Sequence, residues 1–111
     1  GKPLIARQPV QNTLAEMARR IDVARVYSRN VIERSLAGAA DLIAPVCFAK
    51  NTAVEAGEWV ANQAVQLFGG MGYMAESESE RQYRDMRILG IGGGTTEIMT
   101  SLAAKTLGYQ A

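Results

Sequence analysis

Apolar residues at the start of the chain recur every three or four positions. After Val10 they stand at positions 14, 17, 21, 24 and 31, with only Ser28 interrupting the series. This period places them on one face of an α-helix. Further apolar residues widen the face beyond the stripe that one partner helix covers; they are Val23, Val26, Tyr27 and Ile32. The spacing therefore predicts a long helix from Val10 to about Ala37 that contacts more than one neighbour.

A second run with the same period begins after Gly38. The residues on its apolar face are Leu42, Val46, Ala49, Ala53, Ala56 or Gly57, Val60, Ala64 and Leu67. We predict that Gly38 ends the first helix, that Asp41 caps the second, and that the second ends at Gly69. Pro45 is compatible with this helix because it falls in the first turn. The many alanines let a partner helix approach closely, so the two helices are expected to pack as antiparallel elements of a bundle.

Two shorter helices are predicted in the last third of the chain. Residues 76 to 87 are acidic first and basic later, an order that suits the dipole of a short helix. Thr95 or Thr96 is suited to cap a final helix that runs through Leu107, with Gly108 as its stop. No segment shows the alternation typical of a strand. The 111 residues are one domain or part of one, and we predict the all-α class with an antiparallel helical bundle.

The composition excludes several classes of function. With no histidine and with Cys47 as the only cysteine, the chain has neither a disulfide framework nor a credible zinc or haem site, and we predict no metal. Twelve Lys and Arg against eleven Asp and Glu leave a formal charge of +1, which gives no indication of binding to nucleic acid. No apolar stretch approaches the ~20 residues of a membrane span. We expect a soluble intracellular protein.

Glycines are concentrated in one part of the chain. Seven of the eleven lie between Gly69 and Gly94. Residues 70 to 75 match the G-x-G-x-x-A fingerprint of dinucleotide-binding folds, but that fingerprint must follow a strand, and here it follows a predicted helix. Residues 92 to 97 lack the lysine of a phosphate-binding P-loop. We therefore reject both assignments.

The segment from Gly92 to Glu97 has a third interpretation. A flexible backbone that leads into a helix N-terminus presents free N–H groups and the positive end of the helix dipole, which together suit an anion or a carbonyl oxygen. A plain glycine-rich turn between helices is the alternative, which the entropy cost of three consecutive glycines disfavours. The residues by themselves leave both interpretations open.

Four segments in order along the chain resemble the C-terminal helical domain of acyl-CoA dehydrogenases. They are Gln66–Tyr73, Glu80-Arg81, Arg84-Asp85 and Ile91–Ile98. The opening Gly1–Leu4 together with Gln8 resembles the start of the second long helix of that domain. The resemblance implies that residues 1–111 form most of a four-helix FAD-binding bundle, without its first helix and without the two domains that precede it.

The resemblance also implies a cofactor, a reaction and partners. Members of the family are FAD flavoproteins, usually homotetramers built as dimers of dimers, that oxidise an acyl-CoA thioester to the trans-2-enoyl-CoA. A carboxylate removes the α-proton, the flavin accepts the β-hydride, and the electrons pass to an electron-transferring flavoprotein. By this resemblance the chain belongs to an enzyme of fatty-acid oxidation. The expected location is the bacterial cytoplasm or the mitochondrial matrix, with the cytoplasm preferred.

The same resemblance assigns individual residues to the ligands. The segment that matches contacts to the adenosine end of a neighbouring subunit's FAD consists of Gln66, Leu67, Phe68, Gly69 and Gly70. The other positions that match FAD contacts are Arg7, Gln8, Thr95, Thr96 and Glu97. Gly93 and Gly94 match positions beside the thioester of the substrate.

The catalytic base departs from the pattern of many family members. Those members carry a glutamate directly before the Gly-Thr pair, and Gly93 fills that position here. The long-chain and isovaleryl branches also lack this glutamate and place the base on the preceding bundle helix. We therefore predict an enzyme of that branch, with its base upstream of Gly1, and no activity for the isolated 111 residues. The alternatives are a catalytically silent paralogue, a helical interaction module and a self-contained nucleotide binder.

Overall fold

The computed structural model describes residues 1–110 and contains five α-helices. Their bounds are α1 Gln8–Leu36, α2 Ile43–Phe68, α3 Gly70–Tyr73, α4 Glu78–Arg87 and α5 Thr96–Thr106. Short 3-10 helices at Leu4–Ala6 and Ile88–Gly90 precede α1 and follow α4. Over these 110 residues there is no β-strand. The predicted all-α class is therefore confirmed, and the fingerprint at residues 70 to 75 follows a helix, as its rejection required.

Helix α1 begins at Gln8, two residues before its predicted start, with Pro9 in its first turn. It ends where predicted, because Gly38 takes a positive φ of 78° that continues no right-handed helix. The residues that α1 buries are Met17, Ala24 and Val31, seven positions apart, and they face α2. In the same interface the Arg20 guanidinium lies 4.1 Å from the centre of the Trp59 ring.

The turn between the two long helices differs from its prediction at one residue. Asp41 does not cap α2: the N-terminal flanking residue is Leu42, and it makes no capping bond through its side chain. Asp41 instead takes a positive φ of 59°, which aspartate tolerates better than most residues. The predicted cap was wrong because Asp41 serves to reverse the chain direction. Pro45 lies in the first turn of α2, as predicted.

Helix α2 is the central element, since α1, α3, α4 and α5 all pack against it. Its small residues make this possible. Ala44 and Cys47 of α2 form a buried cluster with Ala103 of α5, and Met99 packs against that cluster. On another side, a Cβ at Gly57 would lie 2.1 Å from Cε of Met86 on α4, so the absence of a side chain at Gly57 makes room for Met86. The alanine- and glycine-rich sequence of α2 thus allows close contact with several helices at once.

The glycine segment after α2 is more ordered than a simple turn. Gly69, with φ of 66°, ends α2 as predicted, and the next four residues form the single helical turn α3, which was not predicted. Helix α4 then begins at Glu78, two residues later than the predicted start at position 76. Glu80 and Arg84 pair on its surface, with 2.5 Å between Nε and Oε1. Arg84 is therefore part of an ion pair on the surface of α4.

The molecule is elongated and leaves much apolar surface uncovered. Its extents are 58 × 25 × 24 Å and its radius of gyration is 17.3 Å, against about 13 Å for a compact chain of this length. On α1, Val26 and Ile32 are 58% and 57% exposed. The wide apolar face predicted for α1 is therefore present, while α2 covers only one side of it. No helix among the described residues is long and apolar enough to cross a membrane.

Candidate functional site

The loop before α5 is shaped by glycines at positions where other residues would be strained. Gly93 and Gly94 have φ values of 69° and 102°. A Cβ at Gly93 would have no atom within 4 Å, so the space beside this residue is open. A Cβ at Gly94 would lie 2.4 Å from Cε of Met99. The two glycines therefore turn the chain sharply into α5 and keep its outer side free of side chains.

Thr95 caps α5, as the sequence predicts. Its backbone is extended, with φ of −62° and ψ of 157°, and its Oγ1 accepts a hydrogen bond from the N–H of Ile98 at 3.1 Å. Thr96 is the first residue of the helix, and its hydroxyl reaches the carbonyl oxygen of Gly90 at 3.5 Å. The cap fixes the direction in which the N-terminus of α5 points.

Five successive N–H groups at this junction are without a partner inside the described part of the chain. They belong to residues 93 to 97, and none of them donates a hydrogen bond to a backbone or side-chain acceptor in residues 1–110. The segment is half-buried at Gly94, Thr95 and Thr96 and exposed at Gly93 and Glu97. Such a row of donors at a helix N-terminus suits a ligand that offers oxygen or nitrogen acceptors or negative charge.

Two polar residues of α2 donate hydrogen bonds to carbonyl oxygens of this loop. Lys50 Nζ donates to the carbonyl oxygen of Gly92 at 2.9 Å and also to that of Gly94. Asn51 Nδ2 donates to the carbonyl oxygen of Thr96 at 3.2 Å and to Thr100 Oγ1 at 3.1 Å. The loop is therefore attached to α2 through its carbonyl side, which leaves its N–H side available.

Sequence reasoning did not find Lys50 and Asn51. They lie more than 40 residues from the loop in sequence, and on a predicted helix they are ordinary polar residues beside the apolar face. Only the packing of α5 against α2 brings them to the glycine loop. A single sequence carries no local signal for a contact of this kind.

A second group of predicted site residues lies at the end of α2. Gln66 and Phe68 are exposed and Leu67 is half-buried. A Cβ at Gly69 or Gly70 would meet no atom within 4 Å, so the backbone at these positions is open to a flat ligand. The turn is held in place from behind, because Ser79 is buried and its hydroxyl donates to the carbonyl oxygen of Gly72 at 3.1 Å.

Arg7 and Gln8 stand at the start of α1, and both are exposed. Arg7 has an extended backbone, with φ of −91° and ψ of 128°, and precedes the first residue of the helix. Because α1 and α2 are antiparallel, this end of α1 is at the same end of the hairpin as Gln66 to Gly70. These two sets of predicted residues therefore share one end of the molecule.

The predicted residues at the α5 loop belong to a different region. Asn51, which contacts the loop, is 15 positions before Gln66 on α2, and that separation corresponds to roughly 22 Å along a helix. One ligand in contact with both regions would have to be long, or each region would contact a different copy of the ligand. The second arrangement is the one that the family resemblance implies for Gln66 to Gly70.

The two regions have chemistry that fits a flavin nucleotide. The pyrimidine part of a flavin and its pyrophosphate offer acceptors, and the free N–H groups of residues 93 to 97 are donors. The adenosine end offers both donors and acceptors to a side-chain amide such as that of Gln66, beside open glycine backbone. In this structure Gly93 leaves open the space that a side chain would occupy, and it supplies no carboxylate.

The fold is a helical bundle with a glycine loop before its last helix. The family model of the acyl-CoA dehydrogenase C-terminal domain matches residues 1–108. The chain therefore belongs to the acyl-CoA dehydrogenase family.

Individual relatives agree with this assignment. The human mitochondrial short-chain specific acyl-CoA dehydrogenase is 38% identical over 105 residues, which are 94% of this chain and 25% of that protein. Among solved structures, a candidate acyl-CoA dehydrogenase of Mycobacterium smegmatis is 86% identical, with a TM-score of 0.98 over 100% of this chain and 29% of that one. The acyl-CoA dehydrogenase of Geobacillus kaustophilus is 41% identical, with a TM-score of 0.91 over 97% of this chain and 28% of its own. The chain thus spans between a quarter and a third of each of these relatives.

Proposed function

We propose that these 111 residues are part of the C-terminal FAD-binding bundle of an acyl-CoA dehydrogenase. The proposed reaction is the α,β-dehydrogenation of an acyl-CoA thioester to the trans-2-enoyl-CoA, with an electron-transferring flavoprotein as the acceptor of the electrons. The observation that carries the proposal is the row of free N–H groups from residue 93 to residue 97, in a chain that belongs to this family.

In this proposal FAD, when bound, supplies the acceptor for the hydride that leaves the β-carbon. The residues of this chain bind and orient. Thr95, Thr96 and Glu97 contact the chain's own FAD, while Gly93 and Gly94 lie beside the thioester and leave room for it. Fixed donors that face a developing negative charge lower the barrier most when they are in place before the reaction begins.

The other proposed contacts involve a second copy of the protein. Gln66, Leu67, Phe68, Gly69 and Gly70 would contact the adenosine end of a neighbour's FAD, and Arg7 and Gln8 would meet the nucleotide at the same end of the hairpin. This part of the proposal requires an oligomer, for which we propose the homotetrameric dimer of dimers. The exposed side chains of Gln66 and Phe68 and the exposed apolar face of α1 are compatible with it.

The proton-accepting carboxylate is proposed to lie outside these 111 residues, as in the long-chain and isovaleryl branches. Gly93 has no side chain that could remove a proton. Glu97 is in the first turn of α5 and is exposed, where it is suited to the helix dipole and to a contact with the cofactor. A bacterial cytoplasmic location is proposed with this function.

Flavin spectroscopy on the full-length protein tests the proposal. We expect an oxidised flavin spectrum that bleaches when an acyl-CoA is added under anaerobic conditions. A full-length protein that carries no flavin would refute the proposal and favour a helical interaction module.

A second candidate function follows from the missing side chain at Gly93. A catalytically silent paralogue would hold FAD and bind acyl-CoA but would not bleach. Spectral bleaching therefore separates the enzyme from the silent paralogue, and flavin content separates both of them from an interaction module.

A further inference from the structure

We propose that Lys50 is a positioning residue that sets the direction of the N–H groups in the glycine loop. The inference rests on the proposed function, because it concerns the loop that would face the flavin and the thioester. Lys50 itself would contact neither ligand. Its role would be to hold two peptide planes so that their donors point outward.

The geometry of the peptide units carries the argument. Lys50 Nζ donates to the carbonyl oxygens of Gly92 and Gly94 from the helix below. In a planar trans peptide the carbonyl and the N–H that share a plane point in opposite directions. With both carbonyls directed at α2, the N–H groups of Gly93 and Thr95 are directed away from it, towards the open side of the loop.

Without the hydrogen bonds from Lys50, little would fix the orientation of these peptide planes. Gly93 and Gly94 lack a Cβ, so rotation of the peptide planes around them meets little steric resistance. If either plane turned over, a carbonyl oxygen would face the ligand in place of an N–H and would repel an acceptor atom. A charged donor holds these carbonyls more firmly than a neutral one.

The side chain of Lys50 has no competing ion pair in the part of the chain that the structure describes. It is half-buried, and no carboxylate among residues 1–110 pairs with it at 4.0 Å or less. Its positive charge therefore adds to the positive end of the α5 dipole on the same side. Asn51, the next residue, donates to the carbonyl oxygen of Thr96. Lys50 and Asn51 together therefore hold the carbonyl oxygens of three residues at the junction, Gly92, Gly94 and Thr96.

The test compares three variants of the full-length enzyme. Lys50→Met removes the donor and keeps the length of the side chain, Lys50→Arg keeps a charged donor, and Lys105→Met removes an exposed lysine from the end of α5 as the matched control. For Lys50→Met we expect a fall in kcat of roughly 10- to 100-fold with KM nearly unchanged, because misdirected donors cost most in the transition state. Flavin content and melting temperature should stay close to wild type. Lys50→Arg should recover most of kcat, and Lys105→Met should match wild type.

A measurement that does not depend on turnover accompanies the kinetics. Hydrogen–deuterium exchange should rise in Lys50→Met at the amides of Ile98 and Met99, which donate to Oγ1 and to the carbonyl oxygen of Thr95, and stay unchanged across residues 70 to 83. If the wild-type protein holds no flavin and has no turnover, the proposed function fails, and the exchange result still decides whether Lys50 orders the loop. Wild-type kcat and wild-type exchange in Lys50→Met would overturn the inference. A general loss of flavin and melting temperature that Lys50→Arg does not repair would also overturn it, since Lys50 would then be a structural residue only.

Discussion

Thr95 stabilises the N-terminus of α5 and also lies in the proposed ligand site. Its hydroxyl accepts the N–H of Ile98 at 3.1 Å and so satisfies one donor of the first turn of α5. We expect Thr95→Ala to lower the free energy of unfolding by about 1 kcal/mol, measured by urea denaturation of the full-length protein. Thr95→Ser, which keeps the hydroxyl, is the matched control and should remain close to wild type. Equal unfolding midpoints for wild type and Thr95→Ala would show that the cap contributes nothing.

Glu16 is the side chain whose ionisation is most strongly perturbed. Hydrogen bonds from Arg19, and then from Arg20, lower the pKa of its carboxyl from 4.5 to about 2. Because the pKa is lower in the folded state, the stabilising effect is fully present above pH 4.5 and is lost as the pH falls towards 2. We expect a carboxyl ¹³C NMR titration to give a Glu16 pKa clearly below its ordinary value and Arg19→Ala to raise it. An ordinary value in the wild-type protein would contradict the contacts on α1.

At the scale of the element, the turn α3 has its own steric requirement. A Cβ at Gly72 would lie 2.7 Å from Cβ of Phe68 and 2.8 Å from the carbonyl oxygen of Val65, and neither atom is free to move away. We expect Gly72→Ala to destabilise the protein by about 1 to 3 kcal/mol. Gly70→Ala in the same turn is the control, because nothing lies within 4 Å of its Cβ position and its φ is not positive.

The readout for this pair of variants is thermal unfolding of the full-length protein. Gly70→Ala should be neutral or slightly stabilising, since alanine loses less chain entropy than glycine on folding. If both variants unfold at the wild-type temperature, the packing of α3 against α2 is looser than the distances indicate.

At the scale of the whole molecule, the apolar face of α1 makes the isolated chain prone to self-association. Val26 and Ile32 are more than half exposed, and the large apolar residues that are also exposed on α1 include Leu14, Ile21, Val23 and Leu36. Large apolar side chains exposed in this number on one helix are typical of an interface. We expect the 111-residue chain to show a sedimentation coefficient that rises with concentration.

Val26→Lys combined with Ile32→Lys gives the matched test of that surface. The pair adds charge at exposed positions and leaves the buried residues of α1 unchanged, so the helix should persist by circular dichroism while association falls. A single monomeric species of the unsubstituted chain across a wide concentration range would contradict the prediction.

Sequence reasoning reached most of the elements because their signals are local. The period of apolar residues found α1 and α2, and glycine positions found the ends of both helices. The cap at Thr95 was also predictable, since a threonine before a helical segment is a local pattern. The errors at Asp41 and at α3 arose where the conformation of a turn depends on how the flanking helices pack.

By itself, the sequence determined that this chain is helical, where four of its five α-helices begin and end to within about two residues, and which family it resembles. Tertiary structure decided which faces of α1 and α2 are covered and which groups meet at the glycine loop. Lys50 and Asn51 reach that loop only because small residues let α5 pack closely on α2. Helix periodicity depends on neighbours along the chain, whereas the direction of a peptide plane in the loop depends on a side chain 42 or 44 residues away.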